Sequence, residues 1–161
     1  MPRGEDDGPV ATPLRRQGFE AAMKEAALTI NTDWLLYSQP RSSEEEMTWL
    51  EATLSSLMNK TPKPSAILCG NDKMAFRVMM ILRARNIDIP AEVSVLGFDD
   101  FTMISESTVP SLTTVSLPYY QMGRRAVELA LDMIESGERP NSVEQMKCTL
   151  VKRSSDRLVI N

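Results

Sequence analysis

The chain has 161 residues, 42% of them apolar, which is enough to bury one core and points to a single domain or a piece of a larger one. A formal net charge of −4 argues against the basic stripe that carries non-specific nucleic-acid affinity, and the lack of histidine removes the commonest metal ligand and general base. Cys69 and Cys148 stand far apart without CxxC spacing, so neither a zinc centre nor a serine–histidine triad is expected, and no cofactor is implied.

The opening "MPRGEDDGPV" has no apolar core of the signal-peptide kind, and no run of about eighteen apolar residues exists. A cytoplasmic protein that does not enter a membrane is the expectation. The eleven methionines read as packing residues, because a thioether fills irregular gaps.

Residues 1–11, rich in Pro, Gly and acid, read as an irregular lead, and residues 12–161 as one α/β domain. Thr12-Pro13 opens a helix, since threonine caps well and proline suits the first turn. Leu14, Phe19, Ala22, Met23, Ala26 and Ala27 then recur at helical spacing to about Leu28. The run "WLLYS" at 34–38 predicts a buried strand. After the loop "SQPRSS", Ser43 with Glu46 predicts a capping box for a helix whose Met47, Leu50, Leu54 and Leu57 face inward, ending near Asn59.

A strand is predicted over 65–69, a helix over 72–85 and a strand over 93–98. Such alternation means a mainly parallel sheet with helices on its faces, a three-layer α/β/α arrangement. "SLTTVSL" reads as a further strand, 119–136 as a long amphipathic helix stopped by Gly137, and 145–152 as a last strand.

Ligands of open α/β sheets settle at the carboxyl ends of parallel strands, and two such ends carry Asn71-Asp72 and Asp99-Asp100. Capping the following helix is the ordinary role for the first pair, with Asp72 the better fit to it and Asn71, nearer the strand, freer to face a ligand. Asp99 and Asp100 read either as turn formers or as a functional pair, because two adjacent carboxylates are costlier to hold than one. Arg15 and Arg16 at the start of the first helix are a solvated face or, for one of them, a fork for carboxylate or hydroxyl groups.

The segments "AILCGNDKMAFRVMMILRARNIDIPAEVSVLGFDD", "VPSLTTVSLPYYQMGRRAVELALDMI" and "LVKRSS", with "RRQGFEAAM" near the start, resemble the effector-binding region of lactose-repressor/galactose-repressor (LacI/GalR) family transcription regulators. The resemblance runs in order from about Gly8 to Ser155. It implies the carboxyl-terminal subdomain, incomplete, of a type I periplasmic-binding-protein-like fold, in which two α/β subdomains close on a small molecule. By position it implies that Arg15, Asn71 and Asp99 bind a sugar or nucleobase-like effector, with Asp72 and Asp100 bracing. It further implies a homodimer through the helix bearing Phe76, Met79, Met80 and Arg83, although Met79 or Met80 is alternatively a core residue. DNA would be bound only by a helix-turn-helix segment outside these residues.

Two positions depart from the family pattern: Leu117 replaces a polar effector contact, and Arg41 stands where relatives often place an aromatic lid. The resemblance also implies that the 119–136 helix packs on a first subdomain absent from this sequence, as is a central strand before "GPV". The apolar stripe of that helix is then expected to fold back onto its own sheet or to be covered by a second copy through exchange. With one wall of the cleft missing, weak or absent effector binding by the chain alone is expected. A solute-binding protein of a transport system shares this fold and is the alternative, disfavoured by the lack of an export signal. A phosphoacceptor built on Asp99, Asp100 and Lys73 would need an acidic pair on an earlier strand to hold magnesium, and "WLLYSQP" has none.

Overall fold

A computed structural model of the chain describes residues 11–37, 42–139 and 143–158. The first ten residues, Arg41 and Ser38 therefore lie outside the described residues, as does any test of the irregular lead. The described elements are α1 (Ala11–Glu25), a single 3-10 turn (Thr32–Trp34), α2 (Ser43–Met58), β1 (Ala66–Leu68), α3 (Asp72–Ala84), β2 (Ser94–Asp99), α4 (Thr102–Ser105), β3 (Thr113–Ser116), α5 (Tyr119–Ser136) and β4 (Thr149–Val151).

The sheet runs β1-β2-β3-β4, parallel except for the antiparallel pair β3–β4. This is the mainly parallel α/β fold that the sequence predicts. Its core lies between the sheet and α3, where Ala75, Val78, Met79 and Leu82 repeat at helical spacing and meet Val93, Val95 and Leu112. Helix α2 packs behind α3 and adds Leu50 and Leu54. The segment after β4 seals the sheet from its other end. Ser155 is fully buried, its hydroxyl donating to the Val95 carbonyl at 2.6 Å and accepting from the Thr113 N–H at 2.8 Å.

Several elements differ from expectation for physical reasons. The 34–38 run is not a strand among the described residues: Trp34 closes the 3-10 turn and no strand pairs with it. A strand exists only through its neighbour, and β1, the edge strand here, pairs with β2 alone. The α2 capping box is formed by Ser42 and Glu45, one residue earlier than predicted. The last strand shrinks to three residues. Methionines divide: Met79 is in the core and Met74 packs against it, whereas Met80, Met103 and Met122 are exposed.

The largest difference is the second helical layer. Neither α5 nor α1 has a buried residue among those described, and neither packs extensively on the sheet. Val127, Leu131 and Ile134 of the α5 stripe are exposed, so the expected fold-back onto its own sheet does not occur. The sheet face away from α3 is correspondingly open, with Leu68 and Leu150 exposed.

Candidate functional site

The carboxyl ends of β1, β2 and β3 open at one rim. β1 leads through Cys69 and Gly70 into Asn71 and α3, β2 ends at Asp99, and Pro118 turns β3 into Tyr119 of α5. Arg15 reaches this rim from α1. One guanidinium nitrogen donates to Asp99 Oδ1 at 3.1 Å, another donates to the Gly70 carbonyl, and the group lies 4.1 Å from the centroid of the Phe98 ring. An arginine so placed combines ion pairing, backbone contact and cation–π attraction, and these contacts tie an otherwise loosely packed α1 to the sheet. The neighbouring Arg16 instead pairs with Glu20 at 2.6 Å and sits over Tyr37.

Asn71 is on the rim, but its side chain is turned along α3. Its Oδ1 accepts from the Met74 N–H at 2.8 Å, which makes Asn71 the cap of α3, a role the sequence suggested more strongly for Asp72. The carbonyl side of the amide is thereby committed, leaving the NH2 as the group able to face a ligand. Asp72 lies inside, only 1% exposed, accepting from the Phe101 N–H at 2.7 Å and from the Thr114 hydroxyl at 2.5 Å. Gly97 makes room for it, since a Cβ there would overlap Asp72 Oδ1 and come within 2.9 Å of Leu112. Asp100 also braces: it accepts from Ser105 Oγ at 3.1 Å and pairs with Arg153 at 2.8 Å.

The turn itself is strained. Asp99 has φ 114° and Asp100 φ 54°, conformations that non-glycine residues avoid unless their surroundings impose them. Partial burial pushes the Asp99 carboxyl above its usual 3.8, against the pull of Arg15 and with a further push from Asp72. Tyr119 feels the same neighbourhood, its phenol raised by burial and by Asp99 while Arg15 opposes. Sequence reasoning missed Tyr119, Phe98 and the Gly70 carbonyl. The rule that located Asn71 and Asp99, that strand ends gather function, also points to Tyr119 if applied to the end of β3.

For the helix implied to dimerise, the structure separates four residues. Phe76 and Met80 are exposed, and Arg83 donates to the Val109 carbonyl at 2.7 Å on the same surface. Met79 is a correction: at 2% exposed it is a core residue, because it falls on the sheet-facing stripe with Ala75, Val78 and Leu82. Among the described residues, no group of three or more acidic or cysteine side chains gathers as a metal site. No helix there is long and apolar enough to cross a membrane.

Residues 3–155 match the model of the periplasmic binding protein-like domain. The chain belongs to that family. Within it, the sequence is that of the LacI/GalR effector-binding region. The repressor PurR of Vibrio cholerae is 36% identical over 141 residues, covering 88% of this chain and 40% of the relative. The regulator GalR of Escherichia coli is 33% identical, covering 88% and 39%. The chain thus spans about two fifths of the length of these curated relatives. Among solved structures, a LacI-family regulatory protein of Chloroflexus aggregans superposes with a TM-score of 0.75 at 29% identity, covering 88% of this chain and 49% of that one. The regulator CelR in complex with cellobiose superposes with a TM-score of 0.73 at 26% identity, covering 88% and 41%.

Proposed function

We propose that this periplasmic binding protein-like chain is the effector-sensing and dimer-forming portion of a LacI-type transcription regulator, with no catalysis of its own and acting in the cytoplasm. The observation that carries the reading is the Arg15–Asp99 pair at the rim, a donor fork and an acceptor 3.1 Å apart, with Phe98 beneath and Tyr119 beside them. Paired donors and acceptors over an aromatic face suit a polyhydroxylated sugar or a nucleobase-like effector. Asp99 accepts hydroxyl or N–H bonds, Arg15 donates, and the Asn71 NH2 adds a donor at the edge.

The rim is one wall of a cleft. An effector that fits the closed cleft best biases the angle between two subdomains, and so the spacing of DNA-reading helices in a helix-turn-helix segment that these residues do not include. Phe76, Met80 and Arg83 form the surface that meets a second copy. Titration calorimetry against a panel of sugars and nucleobases tests the site in a chain extended to the length of its relatives. A ligand is expected whose heat of binding disappears in both Arg15→Ala and Asp99→Asn. Retention of full affinity in both variants would refute the site. The present chain, with a single wall, is expected to bind the same ligand weakly, so submillimolar affinity here would refute the two-wall requirement. Sedimentation of Met80→Lys, expected to be monomeric where the parent is dimeric, tests the helix face.

A further inference from the structure

The carboxyl group of Asp72 is buried at the rim, and the effector reading gives it no contact with a ligand. Its two oxygens are bound to groups from two different elements: the Phe101 N–H, immediately after the Asp99–Asp100 turn, and the Thr114 hydroxyl in the middle of β3. Burying a carboxylate at the centre of a sheet edge is unfavourable unless hydrogen bonds repay it, and short bonds to an ion are the strong ones. Sequence and structure both make way for it, since Gly97 is the strand position where any side chain would displace the carboxylate.

What Asp72 holds is the strained turn. Asp99 and Asp100 are consecutive residues at positive φ, which persist only where flanking contacts fix them. Arg153 and Ser105 secure Asp100 from one side, while Asp72 secures the next backbone N–H from the other. We propose that Asp72 is a positioning residue of the site: by clamping Phe101 to Thr114 through Gly97, it fixes the turn so that the Asp99 carboxylate points at Arg15. The proposal rests on the effector reading for its purpose, but not for its geometry.

The charged and titratable groups around Asp99 are Arg15 from α1, Asp72 from α3 and Tyr119 from α5. Replacing Asp72 itself therefore moves Asp99 through charge alone, so the clamp is read at its partners Thr114 and Gly97, where Asp72 stays in place.

The test is nuclear magnetic resonance on the full chain, following the Asp99 carboxyl carbon through a pH titration and the exchange of the Phe101 amide proton. In Asp72→Asn the Asp99 midpoint is expected to fall, because a negative neighbour is lost. In Thr114→Val and Gly97→Ala, which leave the Asp72 charge in place but loosen the clamp, Phe101 exchange is expected to quicken by about tenfold or more. If Asp72→Asn fails to fold, the other two variants carry the test. Folded Thr114→Val and Gly97→Ala variants with unchanged Phe101 exchange would overturn the proposal, whatever the Asp99 midpoint does in Asp72→Asn. Neither readout needs a ligand, so failure to find an effector is a separate result from failure of the clamp.

Discussion

Helices α3 and α5 are both amphipathic, yet they end in opposite situations. α3 buries six of its residues, is capped by Asn71, and meets the sheet at Val95 and Leu112. α5 is longer and closed by a left-handed Gly137 at φ 69°, but buries none. Local signals suffice to make a helix, whereas burial depends on having something to pack against. In this chain α3 has its sheet, while α5 has Tyr119 touching the rim and an apolar stripe in solvent. The best-packed and least-packed regions therefore share one amphipathic pattern and differ only in partner.

The sharpest test of that contrast is chemical. Burial, with a contribution from Asp72, pushes the Cys69 thiol up to about 12 from 9.0, which lowers its thiolate fraction at neutral pH by about a thousandfold relative to an unperturbed thiol. A thiol reagent is expected to label the partly exposed Cys148 first and Cys69 only on unfolding. Equal labelling rates would mean that the α3 side of the sheet opens as readily as the rest.

Denaturation in urea compares the helices directly. Leu82→Ala, in a fully buried position, is expected to cost about 2–5 kcal/mol, and Leu131→Ala in α5 no more than about 0.5 kcal/mol. A cost above about 2 kcal/mol for Leu131→Ala would show that something covers α5 in solution. The α3 cap is a smaller effect: Asn71→Ala is expected to cost about 1 kcal/mol and Asn71→Asp much less, since aspartate also caps.

The smallest effect separates ion pairing from burial at the rim. Arg15 and Asp99 are each partly exposed, so Arg15→Ala is expected to change stability by no more than about 1 kcal/mol. The folded Asp99 carboxyl lies above its ordinary 3.8, so folding favours its protonated form. Its contribution is complete below about 3.8 and is lost as pH rises through the higher folded value. Losing the Arg15 cation raises that value further, so Arg15→Ala should widen the window upward. A downward shift of the Asp99 midpoint in this variant would contradict the ion pair.

The family resemblance alone implied that Arg15 and Asp99 meet at a rim, whereas the sequence by itself determined the helices 43–58, 72–84 and 119–136 to within a residue or two and the three parallel strands. Each rests on a local signal: a periodic apolar stripe, a cap, or a strand end followed by a turn. Only the tertiary structure decided which of Asn71 and Asp72 caps and which goes inside, because both suit a helix start and the choice depends on Phe101 and Thr114 arriving from elsewhere. It also placed Met79 inward and Met80 outward, and left residues 34–37 without a strand. Those outcomes turn on partners distant in sequence, and an apolar run or a pair of adjacent polar residues carries no record of what will pack against it.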